Sequence, residues 1–307
     1  MTPGVLILTG QTASGKSALA LELAERFGAE IVGADSRQVY RGMPVGTAAP
    51  SDAERARVPH HLVGFVDPHE RYSAARFVGD ALTAIDAIRR RGKRVLVVGG
   101  TGFYVRALTG AVALSSVYDP ALRERLASEA RVHPPDVLAD WLGALAPQRA
   151  GAIAPNDPYR VARALEIALA ERGSDALRKA PALPVNLRTR GIPFRKLYLT
   201  IAPDLLEARI ARRVDAMLAN GLLEEAERVG AGAVAADAVG YREALAYLAG
   251  WSTSAELRAH LVRNTRRYAK RQATWFRTEP DLIALPAADL REQAEAYWET
   301  GAPASGG

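Results

Sequence analysis

The sequence predicts an α/β fold in which a parallel sheet is flanked by helices and interrupted by a helical insertion. The apolar runs VLILT, IVGAD and VLVVGG end in Thr, Asp and Gly, and each precedes a helical pattern, which is typical of strand–helix units in parallel sheets. Between about residues 115 and 184 the strand signals disappear, and Pro- and Ala-rich helical segments replace them. We therefore expect a core of residues 1–114 and 185–300 and a helical insertion domain of residues 115–184.

Capping and stop signals place the next elements. Ser73 is a candidate N-cap and Gly92 a stop for the helix in YSAARFVGDALTAIDAIRRRG. The apolar positions of this helix share one face: Phe77, Leu82, Ile85 and Ile88. The sheet resumes at KLYLTIA, residues 196–202, and the helix after it is predicted to end at Gly221.

The C-terminal part of the chain predicts one long helix and a last strand. The helical pattern in SAELRAHLVRNTRRYAKRQATWFRTEP extends up to Pro280, because proline ends a helix. DLIAL predicts a final strand, and an amphipathic tail follows it. The last residues, 301–307, read GAPASGG and are predicted to be disordered.

Composition excludes several kinds of chemistry. The chain has 307 residues and no cysteine, which excludes disulfides and thiolate nucleophiles, and its five histidines lack metal-ligand spacing. Lys and Arg number 40 against 34 acidic residues, a net charge of +6 that suits an anionic partner where the cations cluster. With no signal-peptide pattern and no apolar run of membrane-spanning length, we expect a cytoplasmic protein with no membrane partner.

The strongest motif directly follows the first predicted strand. GQTASGKS meets the pattern GxxxxGK[ST] and opens a helix; its members are Gly10, Gln11, Thr12, Ala13, Ser14, Gly15, Lys16 and Ser17. The loop amides lie at the positive end of the helix dipole, Lys16 adds a full charge, and the Ser17 hydroxyl can ligate Mg²⁺. The sequence thus predicts a P-loop NTPase-like fold, although the motif alone does not name the molecule that carries the phosphates.

The residues at the ends of two predicted strands indicate what kind of phosphate ligand the loop holds. VLVVGGTG ends in glycines and Thr101, without the Mg²⁺-holding Asp usual in P-loop hydrolases, which argues against ATP hydrolysis. Asp35 closes EIVGAD at the carboxyl edge of the sheet, where open α/β sheets bind ligands. Asp35 is therefore a candidate general base, or equally a turn or N-cap residue. Ser36 and Gln38 follow it as groups that could read a base.

Eight blocks stand in order between Gly10 and Arg277: GQTASGKS, DSRQVYRGMPVGTAAP, VPHHLVGFVDPHERYSAARF, VVGGTGFYVRAL, DPYRVARALEI, RRVDAMLANGLLEE, AVGYREAL and TRRYAKRQATWFR. In this combination they resemble the bacterial tRNA dimethylallyltransferases, also called tRNA isopentenyltransferases. The resemblance implies transfer of a dimethylallyl group from dimethylallyl diphosphate to N6 of the adenosine 3′ to the anticodon of a tRNA. It also implies that the loop holds the diphosphate of this donor, without ATP.

The resemblance assigns roles to individual residues. Asp35 matches the family's general base, and Thr101 matches a residue that contacts both the adenosine region and the donor side; as a helix N-cap, Thr101 could serve both purposes. Arg213 matches an arginine that assists Lys16 and Ser17-bound Mg²⁺ at the leaving diphosphate. Mg²⁺ is accordingly the expected cofactor, and the enzyme is expected to be a monomer.

The segment 263–277 predicts a nucleic-acid contact on a helix. Tyr268, Gln272 and Trp275 share one face, and the cations lie together on another: Arg263, Arg267, Lys270 and Arg271. Basic stripes are often only solvated and helical aromatics are often core, so we interpret Tyr268 and Trp275 as packing inward and the cations as facing RNA phosphates.

Family positions that contact tRNA match Arg123, Tyr159, Arg160, Arg163, Gly240 and Tyr241. The other residues predicted to bind tRNA are Asp35, Ser36, Arg37, Gln38, Thr101, Arg267, Lys270 and Arg271, and the expected partner is the anticodon stem-loop. Without the resemblance, the arginines at 123, 160 and 163 are ordinary helix surface. The chain departs from the family at Gln11, where the family usually has proline. Proline stiffens a loop, so Gln11 is expected to loosen donor binding slightly.

Two other functions share parts of this pattern. A P-loop kinase of a nucleoside or other small metabolite would have the same loop and sheet and would consume ATP. The missing strand-end Asp and the basic, aromatic C-terminal helix argue against it. A tRNA-binding protein without catalysis is opposed by intact Lys16, Ser17, Asp35 and Arg213.

Overall fold

A computed structural model describes residues 4–112, 114, 120–173 and 185–300. The chain divides into two compact units, one formed by Met1–Val112 with Val185–Gly307 and the other by Ala113–Pro184. The disorder predicted for residues 301–307 falls outside the described residues.

A parallel sheet forms the centre of the first unit. Its strands are β1 (Val5–Gly10), β2 (Ala29–Gly33), β3 (His60–His61), β4 (Arg94–Gly99), β5 (Phe194–Leu199) and β6 (Leu282–Leu285). They lie in the order β3–β2–β4–β1–β5–β6, and every pairing between them is parallel. Every residue of β1 is buried, as expected for a strand with helices over both faces of its sheet. The predicted α/β fold is confirmed.

The helices follow in chain order: α1 (Lys16–Phe27), α2 (Pro44–Thr47), α3 (Asp52–Arg57), α4 (Ala74–Arg90), α5 (Gly102–Thr109), α6 (Pro120–Val132), α7 (Pro135–Leu145), α8 (Pro147–Ala150), α9 (Pro158–Gly173), α10 (Pro203–Ala219), α11 (Leu222–Val229), α12 (Tyr241–Leu248), α13 (Ser254–Phe276) and α14 (Ala287–Thr300), with a 3₁₀ turn at Val234–Asp237. The second unit contains α6 to α9 and has its own hydrophobic core, which includes Leu126, Leu138, Leu142 and Leu165.

Helix α4 forms where its capping signals predict. The Ser73 hydroxyl accepts a hydrogen bond from the Arg76 amide at 3.1 Å, and the chain leaves the helix before Gly92, whose φ is +70°. A positive φ favours glycine because it has no Cβ. The predicted apolar face is buried in full: Phe77, Leu82, Ile85 and Ile88.

Two helix ends differ from the predictions. Helix α10 ends at Ala219, and Gly221, with φ +91°, is the N-cap of α11 instead of the stop of α10. Helix α13 ends at Phe276, short of Pro280. After α13 the chain turns so that Glu279 lies in the core, 2.7 Å from the Lys196 ammonium on β5. Pro280 accounts for this end, because a proline ring clashes with the carbonyl four residues before it, here that of Phe276, and disfavours helical backbone at the residue before it.

Candidate active site

A cavity of about 780 Å³ lies in the first unit and includes the phosphate loop from Thr12 to Ser17 in its wall. The turn after β2, the end of α2, and helices α10 and α13 supply much of the rest of the wall, together with residues of α1, the end of β5, residues 237–239 and α14. Sequence-predicted residues that line it are Asp35, Ser36, Arg37, Gln38, Arg213 and Arg271, and residues not predicted there include Arg209, Asp237 and Tyr268. The structure thus brings the phosphate loop, the candidate base and part of the basic helix to one place.

The phosphate loop has the backbone geometry of an anion site. Gly15 is left-handed with φ +95°, and a Cβ there would lie 2.8 Å from Nη1 of Arg209, so the position requires glycine. The amides of Gly15, Lys16 and Ser17 donate to no acceptor among the described residues. Donors of this kind at the N-terminus of α1 are available to a bound anion.

Positive charge is concentrated beside these amides. Burial lowers the pKa of Lys16 to about 8; the carboxylate of Asp35 opposes this shift and the guanidinium of Arg213 adds to it. Burial also lowers the pKa of Arg213, which Asp35 in turn raises. A bound anion would favour the charged form of both side chains and offset the repulsion between them.

Helix α10 places two arginines one turn apart in the cavity. Nη2 of Arg213 donates to the Thr47 carbonyl at 3.2 Å, and Nη1 of Arg209 donates to the Ser14 carbonyl at 2.7 Å. Arg209 was missed by the sequence analysis. The i, i+4 spacing from Arg213 was the signal that could have found it, because such residues share one helix face.

Asp35 forms a tight turn at the cavity wall. Its Oδ1 accepts hydrogen bonds from the amides of Arg37 at 2.9 Å and Gln38 at 3.3 Å. This arrangement confirms the turn interpretation of Asp35. The same bonds fix the orientation of the carboxylate in the cavity, so the turn is compatible with the predicted role as a base.

Three neighbours of Asp35 are held by specific partners. Nε2 of Gln38 donates to the carbonyls of Thr47 at 3.2 Å and Ala48 at 2.9 Å. Arg37 forms an ion pair with Asp237 at 2.6 Å. The Ser36 amide donates to Oγ1 of Thr101 at 2.9 Å.

Thr101 precedes α5 at the N-cap position, yet its hydroxyl makes no capping bond. It bonds instead to Ser36, both as acceptor of the amide and as donor to Oγ at 3.3 Å. Thr101 does not belong to the cavity wall. The structure therefore places it behind Ser36, where it supports the turn.

Tyr241 is fully buried, and its side chain does not lie on a surface that RNA could reach. Its hydroxyl donates to Oε1 of Glu225 at 2.5 Å and to the Met43 carbonyl at 3.2 Å. Burial and the Glu225 carboxylate raise the pKa of Tyr241 above its ordinary value. Gly240, matched to the same RNA contact, is the N-cap of α12 with φ +105°.

The predicted basic face of α13 is present. Arg267, Lys270 and Arg271 are exposed, and none of them forms an ion pair within the described ranges. The Arg271 guanidinium lies 5.7 Å from the centre of the Tyr268 ring, and burial raises the pKa of Tyr268. The inward packing predicted for the aromatics holds for Trp275, which stacks on Arg106 at 4.4 Å, whereas Tyr268 lines the cavity.

In the second unit, four residues matched to RNA contacts have different surroundings. Tyr159 is 71% exposed, and Arg160, also exposed, lies 3.3 Å from Asp157. Arg163 and Arg123 both lie against the buried carboxylate of Glu166, at 2.6 and 3.9 Å. Tyr159 and Arg160 are therefore open to a partner, while the other two arginines neutralise a buried charge.

The fold and the cavity define a P-loop α/β protein in which the phosphate loop lies beside a carboxylate. The model of the IPP transferase family matches residues 38–279, and that of isopentenyl transferase matches residues 3–59. The chain belongs to the IPP transferase family.

Relatives agree with this assignment over most of the chain. The tRNA dimethylallyltransferase of Geobacter metallireducens is 46% identical over 287 residues, which cover 91% of each chain. The full-length tRNA isopentenylpyrophosphate transferase of Bacillus halodurans superposes with a TM-score of 0.69 at 34% identity, covering 97% of both chains. A eukaryotic dimethylallyltransferase acting on tRNA gives a TM-score of 0.75 at 29% identity, covering 98% of this chain and 76% of that one. The resemblance described above is confirmed.

Proposed function

We propose that this protein is a tRNA dimethylallyltransferase, which transfers the dimethylallyl group of dimethylallyl diphosphate to N6 of the adenosine 3′ to the anticodon. The observation that carries the proposal is the joint position of the phosphate loop, Asp35 and Arg213 in one cavity, in a chain of the IPP transferase family. The family and the relatives described above give no support to the kinase alternative.

The diphosphate is proposed to bind at the N-terminus of α1. The free loop amides, Lys16 and Arg213 supply donors and positive charge there. In the reaction the bond between the allylic carbon and the diphosphate oxygen breaks, and the oxygen keeps the electron pair. Fixed positive groups around that oxygen stabilise the charge that grows on it.

Asp35 is proposed to accept the proton that N6 loses as its lone pair forms the new carbon–nitrogen bond. The two amide bonds to its Oδ1 hold the carboxylate in place at the cavity wall. General-base catalysis by a positioned group is worth about 10²–10⁴ in rate. The adenine must leave its stack to reach the carboxylate, which costs least in a single-stranded loop.

The residues of the cavity suit Mg²⁺. Ser17 is exposed at the cavity wall, and proteins often hold Mg²⁺ through one or two protein oxygens together with substrate phosphates. Within the described part of the chain there is no group of three or more His, Cys, Asp or Glu side chains arranged for a metal. Ser17 and the donor diphosphate would therefore hold the ion, which when bound supplies charge neutralisation at the leaving group.

RNA binding is proposed to use exposed cations of both units. In the first unit these are Arg267, Lys270 and Arg271 on α13, and in the second unit Arg160 lies beside the exposed Tyr159 ring. Cations of this kind suit backbone phosphates, and an exposed aromatic ring suits an unstacked base. The proposed partner is the anticodon stem-loop of tRNA, bound by a monomer in the cytoplasm. No helix among the described residues is long and apolar enough to cross a membrane.

The position of the modification tests the proposal. The protein, Mg²⁺ and labelled dimethylallyl diphosphate are incubated with an unmodified tRNA that has adenosine 3′ to the anticodon, and the RNA is digested to nucleosides. We expect the label on one modified adenosine per tRNA. A tRNA with guanosine at that position is the matched control and should remain unlabelled; equal labelling of both would contradict the proposal.

A further inference from the structure

Gln272 of α13 bridges two strand ends beside the cavity. Its side chain is 6% exposed. Oε1 accepts a hydrogen bond from the Thr12 amide of the phosphate loop at 2.8 Å, and Nε2 donates to the Gly100 carbonyl after β4 at 3.0 Å. Both ends of the amide group are thereby satisfied within the protein.

Gln11 supplies a second tie between the loop and α13. Its Nε2 donates to the Ala269 carbonyl at 3.2 Å. A proline at position 11 could not make this bond, since it has no side-chain donor. The loop is therefore tied to one helix through two glutamines.

Glycine at position 100 makes room for the amide group of Gln272. A Cβ on Gly100 would lie 2.2 Å from Nε2 of Gln272. The glutamine thus connects the phosphate loop to the segment that follows β4. The residue after Gly100 is Thr101, whose hydroxyl holds the Ser36 amide next to the candidate base.

We propose that Gln272, assisted by Gln11, is a positioning residue that sets the phosphate loop for the donor diphosphate from the same helix that faces RNA. The role of α13 toward RNA rests on the proposed function. Gln272 itself does not touch the reacting atoms. It accepts a hydrogen bond from the Thr12 amide, whereas the amides of Gly15, Lys16 and Ser17 have no acceptor among the described residues and are available to the anion. It acts on donor binding, whereas the exposed cations of α13 act on RNA binding.

Titration with inorganic pyrophosphate and Mg²⁺ in a calorimeter tests this role. Gln272→Met keeps the size of the side chain but leaves a buried donor and a buried acceptor unpaired, so we expect about tenfold weaker binding. Gln11→Ala removes one half-buried bond, and about threefold weaker binding is expected. Thr274→Ala, on the exposed side of the same helix, is the matched control and should bind as the wild type does.

Kinetics separate positioning from general loosening of the fold. In both glutamine variants the KM for dimethylallyl diphosphate should rise by the same factor as the pyrophosphate Kd, while the KM for tRNA stays within twofold. A wild-type Kd in Gln272→Met at unchanged Tm would overturn the inference, and so would an equal rise in both KM values. If Gln272→Met does not fold, an unchanged pyrophosphate Kd in Gln11→Ala is sufficient by itself to overturn the inference. Failure of the wild type to bind pyrophosphate would instead overturn the proposed function.

Discussion

Burial at the cavity changes the chemistry of Lys16. An exposed lysine keeps its proton well above physiological pH, but burial lowers the pKa of Lys16 to about 8. A bound diphosphate favours the protonated form, so binding and protonation are linked. Donor affinity is therefore expected to depend on pH in a range where other lysines do not titrate.

The sign of this dependence follows from the lowered pKa. Well below pH 8 Lys16 is already mostly protonated in the free protein, and the affinity for a diphosphate is highest there. Above about 8 the affinity should fall by up to about tenfold per pH unit, because binding must then take up a proton. Pyrophosphate titrations from pH 7 to pH 10 measure this slope. Lys16→Arg is the control, since a guanidinium stays protonated throughout this range; an equal fall in both proteins would contradict the assignment.

Asp35→Asn separates chemistry from binding. The amide side chain keeps an oxygen for the two backbone donors but cannot take the N6 proton, so kcat should fall by about 10²–10⁴. The tRNA Kd should stay within about threefold of the wild-type value, because the turn is preserved. Single-turnover rates and filter binding measure the two quantities. Loss of tRNA affinity with unchanged chemistry would assign Asp35 to RNA binding alone.

Local motifs predicted some site residues and missed others. The phosphate loop and Asp35 were found because each directly follows a strand at the sheet edge that binds ligands. Arg209 and Gln272 were not found as site residues, because their partners lie about 170 to 260 positions away in the chain. Tyr241 matched a family contact, yet only the tertiary structure reveals that its ring is buried.

At the scale of elements, the short helix α2 forms a cavity wall that the core holds from behind. Oε1 and Oε2 of the fully buried Glu225 accept the amides of Gly46 at 2.7 Å and Val45 at 2.9 Å. Tyr241 donates to the same carboxylate. At its other end α2 presents the Thr47 carbonyl, which accepts from Arg213 and Gln38. Glu225 and Tyr241 thus support the wall without reaching the cavity.

Tyr241→Phe tests this support. The change removes one donor from a buried carboxylate, and we expect a loss of about 1–3 kcal/mol in the free energy of unfolding. Because α2 is then held less firmly, kcat should fall about tenfold, which is the usual effect of changing a residue that supports a site without touching the substrate. Tyr247→Phe, on the same helix, is the matched control. Wild-type kcat in Tyr241→Phe, despite lower stability, would show that the network supports only the fold.

All of the longer helices of the first unit could be located from the sequence, but only some of their ends could be predicted. Ser73 and Gly92 bounded α4 correctly, because capping is a local interaction. The end of α13 was placed too late, because Pro280 excludes helical backbone not only at its own position but also in the residues just before it. Strand β3 has only two residues, too short for any alternating pattern to reveal.

At the scale of the whole molecule, one buried ion pair joins three parts of the first unit. Lys196 on β5 and Glu279 after α13 are 1% and 0% exposed at a distance of 2.7 Å. Arg106 on α5 lies 2.8 Å from the same carboxylate. Breaking a buried pair leaves an uncompensated charge, which costs far more than breaking a surface pair.

Glu279→Gln should therefore destabilise the protein by about 3–5 kcal/mol and lower the Tm by about 10 °C. Glu22→Gln, which breaks the exposed pair with Arg291 at 2.7 Å, is the matched control and should change the stability by about 1 kcal/mol or less. Thermal unfolding followed by circular dichroism compares the two. Equal effects would contradict the importance given to the buried pair.

The parallel sheet was predictable as a whole because its strands read as nearly continuous apolar runs. Its strand order was not, since the order depends on which crossovers pack on which face. Sequence alone could not show that β1 lies between β4 and β5, which places the phosphate loop between the end of β4 and helix α10. That position decides which distant residues meet the loop.

The donor requirement tests the central claim most directly. The protein is incubated with Mg²⁺ and unmodified tRNA, in one tube with radiolabelled dimethylallyl diphosphate and in a parallel tube with labelled ATP, and the label in the RNA and the pyrophosphate released are counted. We predict one pyrophosphate released per dimethylallyl group transferred from the isoprenoid, with no ATP consumed. Absence of transfer, with ATP consumed once small acceptors are added, would contradict the claim and favour a kinase.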